Sequence, residues 1–81
     1  MGYYRTRNEA RWILNEMRYI IAKWGFMTVQ DFHDIGGRLD YHYYNDPDSE
    51  GWTSVSEAKI RWRGWHRWEI VLPPIVDVTQ H

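Results

Sequence analysis

"KIRWRGWHRWEIVLPP", residues 59–74, sets three tryptophans and four cationic side chains within ten positions. Placing Gly64, Trp65 and His66 in a three-residue loop turns the stretch into a β-hairpin over residues 58–72. Trp62 then faces Trp68, Ile60 faces Ile70 and Ala58 faces Leu72, all on one side, while Arg61 lies opposite Glu69 on the other. This register gathers the apolar residues on one face and pairs opposite charges across the strands. A slip of one residue would send the apolar residues of the two strands to opposite faces. On this reading Trp62 and Trp68 are core residues, and Arg61, Arg63 and Arg67 lie on the outer face or rim. Trp65, at the tip, has no core duty. Pro73 and Pro74 end the strand because neither can donate a ladder hydrogen bond.

Upstream of the hairpin the period changes. Ala10, Ile13, Leu14, Met17, Ile20, Ile21 and Trp24 recur at helical spacing and define one apolar face about four turns long. Thr6-x-x-Glu9 is a capping box with Asn8 as an alternative cap, and Gly25 suits the left-handed position that ends helices. The spacing predicts a first helix over residues 8–24, preceded by a short flexible arm at 1–7. A second helix over 28–36 opens on Thr28 as N-cap with Asp31 three residues on. Met27 and Phe32 staple its start, Val29, Phe32 and Ile35 form its inner face, and Gly36-Gly37 stops it.

Between helices and hairpin lies "YHYYNDPDSEG", residues 41–51. Tyr41 to Tyr44 read as a third short strand, and 45–51, rich in turn residues, as a mobile acidic loop. Residues 75–81 read as a tail. The expected architecture is a single α+β domain, with two N-terminal helices packed on a small antiparallel sheet dominated by the C-terminal hairpin.

Eighty-one residues with no cysteine leave neither a disulfide nor a thiolate metal site to staple a thin core. Aromatics at 17% supply contact area in their place. No apolar run approaches the 18 or so residues of a membrane span, and "MGYYRTRNEARW" lacks the apolar stretch of a signal peptide. The expected setting is soluble, in the cytoplasm of a bacterial host or attached to a virion, with no membrane partner. Charge is unevenly spread. Residues 1–25 carry five cationic and two anionic side chains, residues 26–57 one and seven, and residues 58–81 four and two, against a net charge of −1. A uniformly basic nucleic-acid binder is thereby excluded, whereas a local basic face is not.

Three segments carry a resemblance. "WGFMTVQDFHDIGG", "EGWTSVSEAKI" and the hairpin ending "IVLPP" resemble a family of short uncharacterised proteins of bacteriophages and prophages, over roughly residues 10–74. The matching positions are Trp24, Gly25, Phe26, Thr28, Val29, Asp31, Phe32, Asp34 and Gly36, then Gly51, Trp52, Thr53, Ala58, Leu72 and Pro73. They are caps, turn glycines and core aromatics. The resemblance implies a phage or mobile-element origin and assigns no activity to any residue. The chain departs from the family in "YHYYNDPDSE", which replaces a plainer loop, and in a longer, Trp-richer hairpin turn.

Chemistry is sparse. Asp31, His33 and Asp34, with His42 beyond, do not converge on a helix and show no metal-ligand spacing. Ser49, Ser54 and Ser56 lack an activating context, the pairs Asp46/Asp48 and Asp31/Asp34 read as turn and cap residues, and Gly36-Gly37 lacks the lysine of a phosphate loop. The expectation is a non-enzymatic protein with no catalytic residue, cofactor, metal or small-molecule substrate. Tyr3, Tyr4, Tyr41, Tyr43, Tyr44 and Trp65 exceed what one small core can bury. Tyr, Trp and Arg are also the residues that dominate interface hot spots. The leading expectation is therefore a protein partner of host or phage, or a second copy. The domain would inhibit a host defence system as anti-CRISPR proteins do, by analogy of size and origin. The candidate contact residues are Trp65, Arg61, Arg63, Arg67, Tyr41, Tyr43, Tyr44, Asp46, Asp48 and Glu50. The alternative is a winged-helix-like DNA-binding regulator that grips phosphates with the basic hairpin. Asp31 and Asp34 on the would-be recognition helix weigh against it.

Overall fold

Helix α1 runs over Arg7–Trp24 in the computed structural model, which describes residues 2–40 and 43–79. Thr6 caps it, its side chain accepting from the Glu9 N–H at 3.1 Å, and Gly25 ends it with φ of 86°. Ala10, Ile13, Leu14 and Met17 are buried, with Ile20 and Ile21 packed at the core margin. Trp24, assigned to the same apolar face by its spacing, is instead exposed. It sits in the last turn, where the helix has run past the core.

Two residues later the chain makes a short strand that the propensities did not announce, β1 (Met27–Thr28), and passes into α2 (Val29–Asp34). Thr28 ends the strand and caps the helix: its hydroxyl accepts from the Asp31 N–H at 3.0 Å, and the Asp31 carboxylate accepts from the Thr28 N–H at 3.1 Å. Both halves of a capping box are present, with Met27 and Phe32 buried beside it. The helix stops at Asp34, two residues before the expected end at Gly36.

Strand β2 (Glu50–Trp52) is the centre of a three-stranded antiparallel sheet, between β1 and β5 (Val76–Asp77). The register sets Met27 beside Trp52, Thr28 beside Gly51 and Gly51 beside Val76. Two expectations are corrected here. The acidic loop expected over 45–51 ends at Ser49, because Glu50 and Gly51 belong to the central strand, and carboxylates within the segment brace it. Glu50 Oε2 accepts from the Asn45 and Asp46 N–H groups, at 2.6 and 3.0 Å, and Asp46 Oδ1 accepts from the Asp48 N–H. Nor is 75–81 simply a tail, since Val76–Asp77 is an edge strand and the Val78 N–H donates to the Ser49 carbonyl. The third strand expected at 41–44 does not form at its described positions. Tyr43 lies in a short helical turn and Tyr44 in coil, while Tyr41 and His42 lie outside the described residues.

The hairpin comprises β3 (Lys59–Gly64) and β4 (Arg67–Val71). Its register is the one the alternation requires: Ile60 opposite Ile70, Arg61 opposite Glu69, Trp62 opposite Trp68. The turn is tighter than expected. Gly64 pairs with Arg67, leaving Trp65 and His66 as the turn, and a register shift between Trp62 and Gly64 absorbs the extra residue. His66 takes the left-handed conformation, at φ of 56°. Trp68 is half-buried, but Trp62 is 65% exposed and is not a core residue.

The expected arm is part of the fold. Tyr4 pairs with Trp68 on the free edge of β4, through Tyr4 N–H to Trp68 O at 2.7 Å and Trp68 N–H to Tyr4 O at 2.8 Å. Its ring is fully buried and its hydroxyl accepts from the Arg38 N–H at 2.9 Å. The core runs from Tyr4 through Met17, Met27, Val29 and Phe32 to Trp52. Trp52 packs against the Phe32 ring at 5.4 Å, near edge-on, and donates its indole N–H to the Pro73 carbonyl at 3.0 Å. Burying an indole of this size is worth about 4–6 kcal/mol of transfer free energy.

Candidate functional site

Helix α1 is electrically two-sided. At about 100° per residue, Arg7, Arg11 and Arg18 fall within roughly 40° of one another, and Glu9 and Glu16 lie on the opposite side, roughly 180° away. The arginine stripe runs beside the buried face, so packing α1 on the hairpin brings it against β3. There Arg7, Arg11, Leu14, Asn15 and Arg18 from the helix and Ala58, Lys59 and Ile60 from the strand enclose a groove of about 440 Å³. Leu14, Ala58 and Ile60 make an apolar floor, and Arg7, Arg11, Arg18 and Lys59 stand along it. Among the described residues no carboxylate lines the groove. Among the described residues none of the four cations forms an ion pair.

The basic surface continues outward along the hairpin. Arg61 follows Lys59 at the next position on the same face of β3 and is exposed, also without an ion pair among the described residues. On the other face, Ala58, Ile60 and Trp62 alternate in line, so the groove floor leads to the exposed Trp62 indole and then to the turn. Trp65, at that turn, is 82% exposed and meets His66 edge-on at 4.9 Å.

The residues singled out in the sequence divide into three groups. Arg61 and Trp65 are exposed. Arg63 and Arg67 are engaged: Arg63 Nε pairs with Glu69 Oε2 at 2.9 Å, a contact that raises the guanidinium pKa further, and Arg67 lies over the Tyr3 ring at 5.9 Å. Asp46 and Glu50 brace the loop into β2 and Asp48 sits within it, and β2 belongs to a different sheet from the hairpin that carries Trp65 at its turn. Tyr44 is half-buried with its hydroxyl 3.2 Å from His33 Nε2, whereas Tyr43 is exposed.

A second concavity, about 390 Å³, lies between Arg38, Leu39, Asp40 and Tyr43 on one side and the run from Glu69 to Ile75 on the other. Tyr3, Leu39, Tyr43, Ile70, Leu72 and Pro73 give it a mainly apolar lining. Among the described residues no three metal-binding side chains come together, and no helix is long and apolar enough to cross a membrane.

Sequence reasoning missed the residues that matter most to the groove. The charge distribution along the sequence includes Arg7, Arg11, Arg18 and Lys59 but does not place them together. The signal was present: three arginines at i, i+4 and i+11 with two glutamates on the reverse of the same helix. What the spacing could not supply was the strand against which that stripe is set. No known family, curated protein or solved structure matches the chain.

Proposed function

We propose that this is a binding domain and that its ligand is the phosphate backbone of a nucleic acid, held in the α1–β3 groove. One observation carries the reading: four cations line one groove without a carboxylate, while both glutamates of the helix face away. Like charges placed side by side repel, and a fold that leaves them unpaired is stabilised when an anion arrives. The groove replaces the hairpin as the grip, since Arg63 and Arg67 already have partners. A winged-helix mode is not favoured. The hairpin packs on α1, and α2 has six residues whose Asp31 caps the helix and whose Asp34 accepts from Gln30.

The test is a fluorescence-anisotropy titration with labelled oligonucleotides at two salt concentrations, on wild type and on Arg11→Glu/Arg18→Glu. Wild type binds with an affinity that falls steeply with salt, and the double variant loses at least tenfold. Absence of binding at low salt removes the reading.

A protein partner is the second reading, and a specific surface favours it. Tyr19, Trp24 and Phe26 are exposed together at the end of α1, with Lys23 Nζ 5.9 Å from the Tyr19 ring centre and 5.3 Å from that of Trp24. On the resemblance to short phage proteins, that partner is a host or phage protein, and inhibition of a host defence system is the corresponding activity. A pull-down from host lysate that is lost in Trp24→Ala and kept in Arg11→Glu/Arg18→Glu tests it.

A further inference from the structure

We infer that the groove is built for single-stranded nucleic acid, with Trp62 as the surface on which a base stacks; this rests on the phosphate reading above. Trp62 is the anomaly that points there. Its register and the alternation of β3 put it on the core-facing side, in line with Ala58 and Ile60, yet it is 65% exposed. It therefore continues the line of the groove floor along β3 as a flat apolar face, at the level of Trp68 and so of Tyr4, three residues before Arg7. Phosphates held along Arg18, Arg11 and Arg7 would deliver an unpaired base to that indole. Arg7 and Arg18 are about 16 Å apart along the helix axis, so a strand running the groove spans more than one phosphate.

A duplex fits less well. Its bases are already paired and stacked, which leaves Trp62 nothing to receive. A duplex is also read by an element that enters its groove. Here the basic stripe of α1 shares a concavity with Leu14, Ala58 and Ile60 instead of standing on a helix face clear of the strand. Cations tracking a backbone beside an exposed aromatic are the arrangement of sequence-tolerant single-strand binders. Trp65, at the turn, is placed to take a further base or to remain free.

Anisotropy titrations with fluorescein-labelled oligo-dT, oligo-U and a duplex of equal length, on wild type, Trp62→Ala, Trp62→Phe and Arg11→Glu/Arg18→Glu, decide the matter. The single strands bind at least tenfold tighter than the duplex. Trp62→Ala weakens single-strand binding about tenfold without changing its salt dependence, and Trp62→Phe restores most of it. The arginine double variant flattens the salt dependence instead. The oligo-dT and oligo-U arms show whether the ribose 2′-hydroxyl contributes. A duplex bound as tightly as the single strands, or a Trp62→Ala protein that binds single strands like wild type, overturns the single-strand inference and leaves the groove reading standing. No binding of any probe overturns both.

Discussion

Trp62 and Trp68 are direct cross-strand partners, yet one is solvent-facing and the other is built into the fold. Trp68 packs against the buried core, and its backbone is paired by Tyr4 along the free edge of β4. Among the described residues β3 pairs only with β4, so no backbone bridge of this kind lies beside Trp62. Trp68→Ala should therefore cost about 2–4 kcal/mol, through lost packing and a loosened Tyr4. Trp62→Ala should cost less than about 1 kcal/mol. Urea denaturation of the two variants checks this, and equal losses would mean that Trp62 packs against more than its exposure implies.

Trp52 joins three parts of the chain, through its own strand β2, the Phe32 ring of α2 and the Pro73 carbonyl. Trp52→Phe keeps most of the apolar contact and removes the indole N–H. The expected loss is about 1–3 kcal/mol, the cost of an acceptor left without its donor. Trp52→Ala removes both and should cost about 3–5 kcal/mol. Thermal melts followed by far-UV circular dichroism measure the two steps separately.

Gly51 lies where the backbones of β1 and β2 come closest. A Cβ at this position would fall on the Met27 carbonyl oxygen and against the Thr28 Cα. Both obstacles are backbone, so neither can turn aside. Gly51→Ala should cost about 3 kcal/mol or more, against a gain of under about 1 kcal/mol from the stiffer unfolded chain. A variant as stable as wild type would show that β1 and β2 can separate at little cost.

Tyr4 predicts an alkaline limb of stability. Burial raises its pKa above the ordinary value of 10.0, and the Arg38 N–H and charge offset this only in part. The neutral phenol is thus favoured in the folded state. Its contribution is complete below the ordinary tyrosine range and is lost as pH rises through the folded value. At pH 7, Tyr4→Phe should be less stable by about 1 kcal/mol, for the lost Arg38 hydrogen bond. Above pH 10 the gap should narrow as wild type ionises. Urea midpoints from pH 7 to 11 give the result, and a constant gap would sink the proposed linkage.

Local structure was legible wherever a few neighbouring residues decide it. The Thr6 and Thr28 caps, the Gly25 stop and the hairpin register each follow from side-chain spacing. The three-stranded sheet was not legible. Met27–Thr28 and Val76–Asp77 are two-residue strands, too short for any alternation to show, and Glu50–Trp52 lies in a stretch that reads as turn. Their pairing is stabilised by what surrounds Trp52 rather than by propensity. Half the candidate site was readable in the same sense: the arginine stripe belongs to the helix, whereas the groove needs β3 beside it.

The sequence by itself determined the helix caps, most of the apolar stripe of α1 and which hairpin residues oppose one another. Periodicity and capping act over a few residues, so they are written in the local order of the chain. The tertiary structure alone decided that Tyr4 closes the hairpin edge, that Trp62 stays outside and that four distant cations share one groove. Those outcomes depend on how far α1 reaches across β3 and β4 before the core ends. That is set by packing between segments some fifty residues apart, and no spacing within either one records it.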